Sequence, residues 1–248
     1  MLFKAAFLLF ASAALTAPSA TAQAAEEMGE DPLAKMLTHD ERSSGAQDPS
    51  KQLESPASHE VWARIRNGFK MERLDCDLVD SQLAAFSRNS RGFSRTAERA
   101  GLYLYHIVGQ VEARGMPMEL ALLPFVESSF IPTALSPAKA SGLWQFIPST
   151  GSNFSLEQNL WKDERRDVIE STRAALDYFQ KLYDIFHDWQ LCLAAYNWGE
   201  GNVQRAIDRN AAAGLPTDYL HLRMPAETAN YVPRLEAIKR IIQSPETY

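Results

Sequence analysis

From Val61 to Tyr248 the apolar residues recur at helical spacing, and no segment shows sustained two-residue alternation bounded by hairpin turns. A chain patterned this way folds as a mainly α domain. In "SRTAERAGLYLYHIVGQVEARGMP", Leu104, Ile107, Val108 and Val111 fall at i, i+3, i+4 and i+7; Ser94 is the expected N-cap, and Gly115 with Pro117 supplies the stop. "STRAALDYFQKLYDIF" repeats Ala175, Phe179, Leu182 and Phe186 along one face from a capping Ser171. A helix through "WQLCLAAYN" should end at "GEG". The segment "MPAETANYVPRLEAIKRIIQSP" places Pro225 in a first turn, carries Val232, Leu235, Ile238 and Ile242 on one face, and is expected to bend at Pro233.

The 248 residues, 46% of them hydrophobic, suffice for one ordinary domain, and no internal repeat is visible. Residues 1–24 combine Lys4, an apolar stretch from Ala5 to Leu15 and Ala22-Gln23-Ala24, the pattern of a cleaved export signal. Its apolar part is too short to span a bilayer. The first cysteine is Cys76, so no lipid anchor is expected at the new N-terminus, and the protein should be soluble in a periplasm or outside the cell. Residues 25–60 are polar and rich in Pro, Ser and Gly, the composition of a disordered leader. The catalytic or binding domain is then 61–248. A net charge of -6 argues against nucleic acid as a partner.

Within "LALLPFVESSF" one carboxylate, Glu127, ends an apolar run. The helical segment begun by Pro117 must falter near Pro124 and end at Ser128 or Ser129, which puts Glu127 at a helix C-terminus. The negative end of the macrodipole and the neighbours Val126 and Phe130 both disfavour the ionised form. A raised pKa is what a general acid needs. A solvated terminal glutamate is the alternative, and this stretch alone does not decide. In "SPAKASGLWQFIPSTG" small residues flank Trp144, Gln145 and Phe146, a composition that either presents a ring and an amide to a sugar or plugs its own core. "AAYNWGEG" sets Tyr196 and Asn197 at a helix end, where a buried phenol requires a partner such as a carboxylic acid.

The ordered set "ELALLPFVESSF", "SPAKASGLWQFIPSTG", "DERRD", "STRAALDYF", "AAYNWGEGNVQRAI" and "PAETANYVPRL" resembles the soluble lytic transglycosylase domain of bacterial cell-wall enzymes, in its membrane-bound lytic transglycosylase D form, over approximately 61–248. The resemblance implies a lysozyme-like helical fold and cleavage of the β-1,4 bond between N-acetylmuramic acid and N-acetylglucosamine in peptidoglycan, with no cofactor and no metal. It makes Glu127 the single acid/base and Ser136 a hydrogen-bonding residue near it. Gly142 and Gln145 fall in the Gly-Leu-x-Gln motif lining the sugar site, beside Trp144 and Phe146. Tyr196 and Asn197 match the Ala-Tyr-Asn motif, whose tyrosine reaches toward acid and substrate. One carboxylate suffices because the 6-hydroxyl of the muramic residue attacks its own anomeric carbon, leaving a 1,6-anhydro end. The acids between Asp163 and Glu170 then need no catalytic role.

Two departures stand out. Lys139 and Ser155 occupy positions where the family usually has glycine, so positive φ and strain are expected there. They favour the alternative of a non-catalytic peptidoglycan-binding or scaffold protein with a degenerate cleft; goose-type lysozyme, which hydrolyses, is the nearer enzymatic alternative. "SPAK" also fits the S-x-x-K nucleophile motif, which requires Ser136 and Lys139 on one helix, but S-D-N and K-T-G are absent. The five histidines show no metal-binding spacing. Cys192, in an apolar helix, reads as core rather than as half of a disulfide with Cys76.

Overall fold

The structure, a computed structural model, describes residues 56–248; residues 1–24 and most of the polar leader lie outside the described residues. The first helix, α1 (Pro56–Asn67), begins inside the expected leader, with Pro56 opening it. Proline is favoured in a first turn, and Val61 and Ile65, one turn apart, are both buried. Residues 56–60 are helical.

The described residues form ten α-helices joined by short 3₁₀ turns and no named strand. The helix expected to run through 94–113 is two. α2 (Asp77–Arg88) is followed by α3 (Ser90–Gly101), capped by Asn89, whose side chain accepts from Gly92 N, and then by α4 (Leu104–Ala113). Gly101 at the junction weakens the helix there and lets the chain turn. α5 (Leu123–Glu127) and α6 (Pro148–Asn153) are short. α7 (Val168–Phe186) starts three residues before Ser171, because the Asp167 carboxylate accepts from Ile169 N and Glu170 N and is the better cap. His187, left-handed at φ 52°, ends α7; Asp188 caps α8 (Trp189–Trp198) in the same way, and Gly199 at φ 96° ends that helix where the sequence placed its stop.

α9 (Glu200–Ala212) and α10 (Ala226–Gln243) complete the domain. α10 packs along α2 and α8, and α8 lies between α7, α9 and α10. Val232, Leu235, Ile238 and Ile242 of α10 are buried as their spacing predicts. Both cysteines are free. Burial, reinforced by the nearby Asp188 charge, pushes the Cys192 thiol up to about 12, so it is inert core.

The run from Met118 to Glu127 passes α10 in the opposite sense. Glu119 meets Lys239 at 3.0 Å, and eight residues on Glu127 meets Tyr231 at 2.5 Å. One helix thereby anchors both buried glutamates.

Candidate active site

Two prolines place Glu127. Pro117 is extended and leads into a 3₁₀ turn, Met118–Leu122; Pro124 then sits in the first turn of α5, where its missing N–H leaves no bond unmade. α5 stops after Glu127. Ser128 N and Phe130 N both donate to Pro124 O, at 3.1 and 3.0 Å, and Ser129 and Phe130 are left-handed at φ 52° and 57°. Two consecutive non-glycine residues in that region cost about 1–3 kcal/mol each. The Arg99 side chain holds Ser129 O at 2.9 Å, and Phe130 packs edge-on against Phe125, so surrounding contacts enforce the turn.

The Glu127 side chain lies in the interior, the residue being 6% exposed. The Tyr231 phenol donates to its Oε1 at 2.5 Å. Burial, then the charge of Glu127, raises the Tyr231 pKa well above 10, so this phenol stays protonated and remains a donor. Tyr196 is shifted the same way, by burial first and by Glu127 second, which places it within electrostatic reach of the acid. Its hydroxyl donates to Trp144 O at 2.7 Å, and its ring stacks on Phe179 with centroids 4.5 Å apart. Tyr231 was not among the residues expected from sequence. The signal was present: it shares the apolar face of α10 with Thr228 and Leu235, where a phenol needs a polar partner, as Tyr196 does.

The loop 134–146 is tied to the residue after Glu127. Ser128 Oγ donates to Leu143 O at 2.9 Å, joining the residue after the acid to the loop. Gln145, left-handed at φ 48° and 4% exposed, turns its Nε2 inward to Gly142 O and Ala134 O, at 2.9 and 3.3 Å. Ser136 Oγ accepts from Ala140 N at 3.0 Å and shapes a turn within the loop. Trp144 and Phe146 have no exposed surface, and Trp144 Nε1 donates to Thr172 Oγ1 at 3.0 Å. The two rings therefore plug the core beneath the loop instead of presenting a face to a ligand. A ring that size gains more from full burial than the loop could gain by holding it in water.

Gly142 is irreplaceable on geometry. Its φ is 87°, and a Cβ there would stand 1.7 Å from Arg165 O. The acidic and basic run that follows is more than a solvated face. Arg165 is buried, paired through two nitrogens with Asp163, and its Nη1 holds Lys139 O at 2.7 Å and Phe146 O at 3.1 Å. Arg165 holds the Asp163 carboxyl below its ordinary value of 3.8. Arg166 adds a bond to Ser141 Oγ. Sequence reasoning missed this clamp because a charge run looks alike whether it is solvated or buried.

Asn197 accepts from Thr228 Oγ1 at 2.8 Å, tying α8 to α10 one turn before Tyr231. Lys139 and Ser155 do adopt positive φ, 61° and 60°, as the missing glycines implied. The turn holding Ser136 and Lys139 is not helical, which removes the geometry an S-x-x-K pair requires.

A helical domain with one buried glutamate at a helix end, held by a phenol and overhung by a glycine-pivoted loop, has a lysozyme-like form. Residues 105–215 match the family described as the Transglycosylase SLT domain. Over 190 residues the chain is 46% identical to the "Membrane-bound lytic murein transglycosylase D" of Escherichia coli (strain K12), and equally to the protein of that name in Escherichia coli O6:H1. These matches cover 76% of this chain and 42% of each relative, so the chain spans less than half the length of the relatives it matches. No helix among the described residues is long and apolar enough to cross a membrane.

Proposed function

We propose that this protein is a peptidoglycan lytic transglycosylase that cuts the β-1,4 bond between N-acetylmuramic acid and N-acetylglucosamine with Glu127 as its only acid/base. The observation that carries the reading is Glu127 itself, buried at the end of α5 and bonded to Tyr231, with the next residue, Ser128, holding the Gly142–Phe146 loop. The names of the relatives point to the same substrate, murein.

In the first step Glu127 gives its proton to the glycosidic oxygen as the bond from that oxygen to the anomeric carbon breaks. Positive charge then develops on the muramic ring. In the second step the ring's own 6-hydroxyl oxygen bonds to the anomeric carbon, and its proton passes to the Glu127 carboxylate. The atoms balance without water, and the carboxyl ends as it began. General acid and base work of this kind contributes about 10²–10⁴ in rate. Most glycosidases need a second carboxylate as nucleophile or to activate water, a role the 6-hydroxyl fills here.

Tyr231 serves both steps. A phenol bonds more strongly to a carboxylate than to a carboxylic acid, so it stabilises Glu127 while the proton is on the leaving group. It also fixes the plane of the carboxyl. Ser136, Gln145 and Asn197 shape and hold the walls, and Tyr196 carries the loop through Trp144 O. On this reading residues 1–24 are an export signal and the enzyme works in the periplasm.

The decisive experiment is mass spectrometry of muropeptides released from purified sacculi by the wild type and by Glu127→Gln. Products one water lighter, with anhydromuramic ends and absent in the variant, are expected. Hydrated products would identify a lysozyme instead. Sacculi bound without any product would identify a binding protein with a degenerate cleft, the reading that strain at Lys139 and Ser155 favours.

A further inference from the structure

Outside the cleft the largest anomaly is a pair of apolar side chains, Leu160 and Trp161, each 95% exposed. Scattered exposed hydrophobic residues need no explanation, but these are adjacent and sit on a tip that is heavily braced. The Asn159 side chain accepts from Trp161 N and Lys162 N, both at 2.8 Å, and Asn159 N donates to Lys162 O at 2.8 Å. Lys162 Nζ clasps Glu157 at 3.0 Å and Glu164 at 2.6 Å, and Gln158 pairs with Asp163 across the ribbon. The backbone beneath the ring is thus fixed while the ring makes no contact with another described aromatic residue. Exposing a tryptophan forgoes the burial that gives such rings their stabilising value, so the tip does nothing for the fold.

The ribbon's base is part of the site. Asp163 and Arg165 form the clamp on Lys139 O and Phe146 O, and Arg165 O abuts Gly142. Trp161 lies four positions before Arg165, a reach of at most ~14 Å. A strand of several sugars leaving the cleft is long enough to pass over the tip.

We propose that Trp161, with Leu160, is an accessory glycan platform that stacks on a sugar ring of the same peptidoglycan strand, outside the point of cleavage. This rests on the peptidoglycan reading of the site. The ribbon favours a sugar over a lipid surface: Glu157, Asn159 and Glu164 supply hydroxyl-binding groups within four residues of the ring, and the six charges from Glu157 to Arg166 sum to zero, with no basic excess to meet anionic headgroups. A preformed platform also loses little conformational entropy on binding.

The test measures co-sedimentation of the full chain with purified sacculi, in the Glu127→Gln background so that nothing is digested. Trp161→Ala should weaken binding about five- to tenfold, the scale of one aromatic stacking contact. Trp161→Phe should restore most of it, and Leu102→Ala, which removes an exposed leucine elsewhere, should leave it unchanged. Unchanged binding in Trp161→Ala would overturn the platform. So would a melting temperature lowered by more than about 5 °C, which would make the ring structural. Loss of binding to phosphatidylethanolamine–phosphatidylglycerol vesicles with sacculus binding intact would replace it with a lipid contact. Sacculus binding that depends on Trp161 in a protein releasing no anhydromuramic product would uphold the platform while the catalytic reading falls.

Discussion

Glu119 and Glu127 stand eight residues apart in one apolar run, both buried, both reaching α10, and they are held in opposite ways. Glu119, 1% exposed, accepts from Lys70 N and Met71 N and pairs with Lys239, which also approaches Glu236; Arg240 extends the network to Asp75. Its charge is compensated by a cation and two amides. Glu127 takes a neutral phenol from Tyr231. A phenol steadies a carboxylate without bringing a positive charge to it. The same residue type at the same depth meets a cation in one place and a phenol in the other.

The largest effect that could break this contrast is on rate. Glu127→Gln should lower turnover by about 10³-fold or more while the fold persists, since the amide oxygen can still accept from Tyr231; sacculus digestion and a melting curve check both halves. Glu119→Leu should do the reverse, destabilising the protein by about 3–5 kcal/mol in urea unfolding because Lys239 is left buried without its nearer partner. Adding Lys239→Met should recover a substantial part of that loss, and no recovery would mean that the two groups are not coupled. Tyr231→Phe should reduce kcat about 10- to 100-fold with little change in KM, the value of a hydrogen bond to a charged group; an unchanged kcat would make the phenol dispensable. Lys139→Gly should stabilise by up to about 1 kcal/mol by relieving the left-handed backbone, measured by unfolding. The smallest effect concerns Asp163. Its folded pKa is depressed by Arg165, so its contribution is complete above about pH 4 and is lost as pH falls through the folded value. Between pH 5 and 3, Asp163→Asn should lose less stability than the wild type.

Helix periodicity gave the core face of α10 and the stop of α8, and the end of α5 followed from Pro124 and the residues after it. The missed features share a cause. Trp144 and Phe146 have the same composition whether a loop shows them or swallows them, and only the packing against Thr172 and Tyr196 distinguishes the two. Glu119 was overlooked because its partners, Lys239 and the amides of Lys70 and Met71, are remote in sequence. The Asp163–Arg165 clamp and Tyr231 were hidden for the same reason. Local spacing records which face is apolar; it does not record which distant polar group completes a buried one. Lys139 and Ser155, at φ near 60°, were legible only because they stand where the family resembled usually has glycine.

The placement of Tyr231 and Lys239 on α10 has a consequence for the order in which this chain is made. A ribosome that has reached Pro225 has already produced Glu127, the Gly142 loop and Tyr196, yet neither the phenol for one glutamate nor the ammonium for the other exists. Both arrive with a single helix, so the acid is finished and the scaffold locked in the same event. On the proposed function, a nascent chain is thereby an unarmed one until residues 226–243 have docked.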